Sequence, residues 1–158
     1  MYGQSRPQVP PVALSLLTDD FRSDAWMCYA LRNRGYAVKV YPDIYYGRRL
    51  FARNHFRLVL VSVNSSHDDR EELLGFMRKK QNSPIIVVGR ATDDVTQECL
   101  LLKSGADDYV RAPCSEDLLV AKVQSVLRRG GHCNAKSAGE RPMSRQRAGQ
   151  VITLRGAG

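Results

Sequence analysis

Apolar positions along this chain come in two rhythms. Pro11 to Thr18 (PVALSLLT), Phe56 to Val63 (FRLVLVSV) and Pro84 to Val88 (PIIVV) are short, nearly unbroken apolar runs that predict strands buried on both faces. Tyr36 to Tyr41 (YAVKVY) alternates like a strand, and Asp107 to Val110 predicts a short fifth one. Between these runs the spacing turns helical. Phe21 to Arg34 carries Trp26, Tyr29, Ala30 and Leu31 at helical spacing and stops at Gly35; Ile44 to Asn54 is amphipathic behind Asp43. Glu71 to Lys80 and Val95 to Ser104 follow, and Ser115 to Arg129 is a last helix with Ser115 as its N-cap.

Five strand-helix repeats result. Strands that are apolar on both faces require cover on both faces, which helical crossovers between parallel strands supply. Because such crossovers are right-handed, the expected fold is α/β: a flavodoxin-like, doubly wound sheet of five parallel strands with five helices, its cleft at the carboxyl ends of the strands. The side chains just after each strand are therefore the ones to read for chemistry. At 158 residues there is room for one domain and a tail, and the organisation read from the chain is a flexible polar leader over 1–10, the domain over 11–129 and a basic linker over 130–148. The strand-like piece at Val151 to Leu154 is too short to be a domain.

Composition changes this picture little: 43% hydrophobic and 25% charged residues suit a packed globular core. No apolar run is long enough to span a bilayer, and MYGQSRPQVP lacks the layout of a signal peptide, so the reading is a cytoplasmic protein without a membrane partner. Cys28, Cys99, Cys114 and Cys133 are dispersed, which suggests neither zinc nor disulfides, only reduced thiols. Charge is uneven. Arg129, Lys136, Arg141, Arg145, Arg147 and Arg155 against Glu140 place five of the eight net positive charges after residue 128. Such a run either follows nucleic-acid phosphates or is simply solvated.

The acidic pair Asp19-Asp20 after the first strand, the Gly35-Tyr36 turn, the segment Gly105-Ala106-Asp107-Asp108-Tyr109, and Pro113 before a capped last helix together resemble the response-regulator receiver (CheY-like) family over residues 11–129. The resemblance implies an aspartate at the end of the third strand that takes a phosphoryl group. It implies Mg²⁺ held by the acidic pair, a Ser or Thr after the fourth strand and a Lys after the fifth, with electrostatics supplying nearly all the catalysis. Position by position this chain departs from that pattern. Ser62 stands at the acceptor, Gly89 at the hydroxyl (Arg90 if the loop shifts by one) and Ala112 at the lysine. A serine hydroxyl cannot form the acyl phosphate, so the site reads as a degenerate phosphorylation site made of Asp19, Asp20, Ser62, Gly89 and Ala112, with no cofactor and no enzymatic activity. Asp19 and Asp20 remain candidates for a divalent metal, or acids that end a strand and favour the next helix N-terminus.

Two other features carry side chains capable of chemistry. Cys114 precedes a helix, where a thiol pKa can fall, against an ordinary packing role. His67, Asp68 and Asp69 read as charged loop residues after the third strand, with no nucleophile paired to them.

The resemblance extends to signalling. Tyr109 falls at the aromatic switch position, and the face of fourth helix, fifth strand and fifth helix implies a homodimer contacted through Asp107, Asp108, Arg111 and Lys122. In the winged-helix (OmpR/PhoB-type) regulators a linker leads to a strand pair that opens a DNA-binding domain, and Gly149 to Gly156 (GQVITLRG) looks like that opening, with residues 149–158 as the start of a truncated domain. The implied function is a phosphorylation-independent receiver that dimerises and regulates an attached DNA-binding domain, contacting DNA only through that domain. A stand-alone adaptor for a kinase or other protein, and a small-molecule sensor, are the alternatives.

Overall fold

A computed structural model describes residues 13–64 and 67–139, with side chains over 13–64 and 69–130. The leader, and the basic stretch and terminal strand from residue 140 onward, lie outside the described residues. The chain divides into two compact units, 1–126 and 127–158. The sheet and the candidate site belong to the first; of the second, the structure describes a helical backbone as far as Gly139.

Ten elements alternate as the apolar rhythm predicts: β1 (Ala13–Thr18), α1 (Phe21–Arg32), β2 (Ala37–Tyr41), α2 (Ile44–Phe51), β3 (Val59–Ser62), α3 (His67–Lys80), β4 (Ile85–Gly89), α4 (Val95–Lys103), β5 (Asp108–Arg111) and α5 (Glu116–Gly139). The strands form one parallel sheet in the order β2-β1-β3-β4-β5. This is the expected doubly wound α/β fold. Central β3 and β4 are buried throughout, whereas the edge strands β2 and β5 are buried only in part, as sheet position requires.

Strand pleating divides the core in two. Leu17, Val59, Val61, Ile85, Val87 and Tyr109 pack in one cluster with Phe51 of α2, Leu73, Leu74 and Met77 of α3 and Leu101 of α4. Strand residues of the other parity, Leu14, Leu16, Leu60 and Ile86, face the second layer, where α1 and α5 bury Met27, Leu31, Leu119 and Val123. An Arg34–Asp117 ion pair at 2.6 Å joins the end of α1 to the start of α5.

Local chemistry sets most element ends. Asp20 caps α1, Asp43 caps α2, and Asp94 with Gln97 forms a capping box at α4. Ser115 caps α5 as expected, its Oγ accepting from the Leu118 amide at 3.1 Å. Gly35 takes φ +90° where α1 hands over to β2, a conformation that favours glycine.

Two boundaries differ from the sequence expectation. His67, Asp68 and Asp69 are not a loop: they open α3, where acidic residues in a first turn suit the helix dipole. α5 does not stop at Arg129 but continues ten residues, through the first part of the stretch read as linker. Ala135, Lys136 and Ala138 are good helix formers, and no proline lies between Pro113 and Pro142 to break the ladder.

Candidate functional site

Strand order reverses between β1 and β3, so the carboxyl ends of these two strands flank the topological switch point where doubly wound sheets hold their ligands. Register places Thr18 opposite Ser62 and Gly89 opposite Arg111. Asp19, Ser62, Gly89 and Ala112 therefore collect at one end of the sheet, Ala112 donating its amide to the Gly89 carbonyl at 3.0 Å. The topology brings together the positions singled out by sequence, and their side chains do unlike things.

Asp19 and Asp20 part company. Asp20 turns into the helix cap, accepting from the Ser23 hydroxyl at 2.7 Å and the Ser23 amide at 3.3 Å. The hydroxyl, then the amide, holds its carboxyl below the usual range. Asp19 reaches across to the loop after β3, where the Asn64 amide donates to it at 2.9 Å and the Asn64 side chain at 3.3 Å.

A third carboxylate, which the sequence reading passed over, lies behind them. Asp24 sits one turn into α1, only 7% exposed, and accepts from the Thr18 hydroxyl at 2.6 Å, with the Ser62 hydroxyl also acting on it. Burial raises its pKa; the two hydroxyls oppose that only in part. Asp24 has the buried Ser62 hydroxyl beside it. Its spacing four residues after Asp20 was the available signal, since an α-helix sets i and i+4 on one face.

These residues do not suit Mg²⁺. The acceptor strand ends in a hydroxyl, one acid of the pair is a helix cap, and the other is held by Asn64. Among the described residues no three His, Cys, Asp or Glu side chains group to hold a metal ion.

The second half of the site is an ionic cluster absent from the sequence expectation. Asp93, in the loop between β4 and α4, has a side chain with no exposure and pairs in two-pronged fashion with buried Arg70 of α3, at 2.9 and 3.0 Å. The Arg90 amide donates to Asp93 at 2.9 Å, the Arg90 Nε lies 3.6 Å from its other oxygen, and the Tyr109 hydroxyl donates at 2.9 Å. Arg90 also donates to the Asn64 carbonyl at 3.1 Å, which links this cluster to the loop that holds Asp19. Burial pulls the Asp93 pKa upward, yet the bonds from Arg70, Arg90 and Tyr109 overrule it and hold the carboxyl well below its ordinary range. Burial, then the Asp93 carboxylate, pushes the Tyr109 phenol well above its own.

Tyr109 is therefore turned inward, 4% exposed, and it lies over Gly89. A Cβ added to Gly89 would fall 1.7 Å from the Tyr109 hydroxyl oxygen and 2.1 Å from Cζ. The tyrosine ring occupies the space that a Ser or Thr side chain would need at this position.

The four residues assigned to the fourth-helix, fifth-strand, fifth-helix face all have partners within the chain. Asp107 accepts from Arg78 and, at 2.8 Å, from the Ile85 amide. Asp108 pairs with Lys122 at 2.9 Å, and Arg111 donates to the Asp93 carbonyl and lies 3.6 Å from Glu98. Cys114 is no activated thiol: burial pushes its pKa up.

No protein-family model matches the chain. Among curated proteins it is 32% identical over 125 residues to the transcriptional regulatory protein CseB of Streptomyces avermitilis, a match covering 79% of this chain and 53% of that one. The chain spans about half the length of the curated relatives it matches. Among solved structures, the receiver domain of a Francisella response regulator superposes with TM-score 0.67 at 25% identity, covering 75% of this chain and 98% of that one. A CheY-like receiver domain protein from Methanospirillum hungatei superposes with TM-score 0.68 at 20% identity, covering 77% and 98%. Among the described residues no helix is long and apolar enough to cross a membrane. The homologues of this chain are thus transcriptional response regulators, and its fold is that of the CheY-like receiver domains.

Proposed function

We propose that the chain is a phosphorylation-independent receiver that works as a homodimer and regulates a DNA-binding domain attached to it. The observation that carries this reading is Ser62: at the end of β3 the place of the acceptor holds a buried hydroxyl beside Asp24 and no carboxylate. The Tyr109–Gly89 contact supports it from the other side of the site. In a receiver switched by phosphate the aromatic residue turns inward when a hydroxyl after β4 moves toward the phosphoryl group. Here Gly89 leaves that space to the ring, and Asp93 anchors the phenol.

Val95, Leu100 and Leu102 of α4 and Leu118 of α5 are exposed apolar side chains on two of the elements that make up the expected dimer face. Apolar area of this kind gains most when a second copy covers it. The attached DNA-binding domain is inferred from the relatives, which are transcriptional regulators and of which this chain matches about half.

Incubation with acetyl phosphate and Mg²⁺, followed by intact-mass measurement and light scattering across concentration, tests this. The expected result is no phosphoryl mass increment and a dimer fraction that the phosphodonor leaves unchanged. A stoichiometric hydroxylamine-sensitive phosphoryl adduct, or a dimer that forms only with the donor, would overturn it.

A further inference from the structure

Away from the strand ends, α2 and α3 enclose a groove of about 620 Å³, lined by Tyr45, Arg48, Arg49, Ala52, Phe76 and Lys80. Tyr45, Arg48 and Arg49 of α2 and its C-cap Ala52, whose backbone is still helical, fall at i, i+3, i+4 and i+7 and so share one face, and Phe76 and Lys80 lie one turn apart on α3. Its volume is within the range of about 300–1,000 Å³ usual for small-ligand sites. None of the lining residues is acidic; Glu72 pairs with Arg48 at 3.3 Å.

What distinguishes this groove from ordinary basic surface is flat aromatic area placed among the cations. The Arg48 guanidinium lies 4.6 Å from the centre of the Phe76 ring and the Lys80 ammonium 5.8 Å from it. Arg49 lies 5.8 Å from the ring centre of Tyr46, and the Tyr45 ring is 77% exposed. A carboxylate ligand would need only the charges. Exposed rings and a ring-stacked guanidinium add a surface for a planar π-system, and the flanking ammonium and guanidinium groups suit phosphate oxygens.

We propose that the α2–α3 groove binds a nucleotide, its base stacked on Tyr45 and the Arg48–Phe76 pair and its phosphates held by Arg49 and Lys80. The site shares no residue with the strand-end cluster, so it stands or falls independently of the phosphorylation reading. Titration of the full chain with the fluorescent analogue TNP-ATP at low ionic strength tests it, with unlabelled ATP, adenosine and inorganic triphosphate as competitors. The expected result is saturable fluorescence enhancement reversed by ATP and not by either fragment at the same concentration. Tyr45→Ala should weaken the apparent affinity about tenfold, the lower end of what one stacked base contributes, and Lys80→Glu should weaken it at least as much. Both side chains are exposed, so both variants keep the fold, checked by circular dichroism. Amide shift changes on adding ATP to ¹⁵N-labelled protein should fall on α2 and α3. Absence of saturable binding, full reversal by triphosphate alone, variants that bind like the parent chain, or shifts confined elsewhere would each overturn the proposal.

Discussion

A single missing side chain, that of Gly89, decides how the aromatic residue of β5 sits. Any Cβ there meets the phenol well inside contact distance, so the glycine and the inward ring are one structural unit. Gly89→Ala should destabilise by about 1–3 kcal/mol, the usual cost of overpacking a filled core. In a Tyr109→Ala background, where the obstructing ring is absent, the same change should cost much less. Urea denaturation of the two single variants and the double variant measures this coupling, and additive costs would show that the contact is not the cause. Sequence alone exposes both members of this pair but not that they meet. Gly89 was legible as a departure from the receiver pattern, and Tyr109 as the switch aromatic. Their contact was not, because it depends on β4 and β5 pairing in register, with Val87 opposite Tyr109.

Among the elements, the loop between β4 and α4 is tied to α3 through Arg70 and Asp93. The two residues stand 23 apart in sequence and carry no local motif, so neither periodicity nor capping rules could pair them. What could be read from the sequence was the set of elements themselves, since long apolar runs and helical spacing outweigh local ambiguity. The boundaries that failed, the start of α3 and the end of α5, lie where charged or small residues leave no apolar signal. The pair makes a sharp prediction. Arg70→Met removes the main partner of a fully buried carboxylate and should cost about 3–5 kcal/mol at neutral pH. Because Asp93 titrates well below its ordinary 3.8 in the folded chain, its stabilising contribution is complete above that value and is lost as pH falls below it. The gap between Arg70→Met and the parent should therefore narrow in acid when unfolding is measured across pH. A gap that stays constant would mean the ion pair is not its source.

At the scale of the whole molecule, two buried aspartates pull stability in opposite directions. Burial raises the Asp24 pKa, so its contribution is favourable below 3.8 and declines as pH rises through the folded value. Asp93 does the reverse. Asp24→Asn, which keeps an acceptor for Thr18 and Ser62 without the buried charge, should raise stability at pH 7 by on the order of 1 kcal/mol. That gain should vanish when the measurement is repeated in acid, and a variant less stable than the parent at pH 7 would show that the charge is needed where it is. The fold thus retains an unfavourable carboxylate on α1, hydrogen-bonded to the last residue of β1.

The inward tyrosine has a further consequence in time. A receiver with two ring positions can be reset within seconds by adding or removing one group. With its ring wedged over a glycine and anchored to a buried carboxylate, this one has a single resting place. If it signals without phosphate, as proposed, this switch supplies no fast input. Where no ligand or partner acts elsewhere on the chain, the information it carries is then the number of copies present, and its response is as slow as the making and dilution of protein.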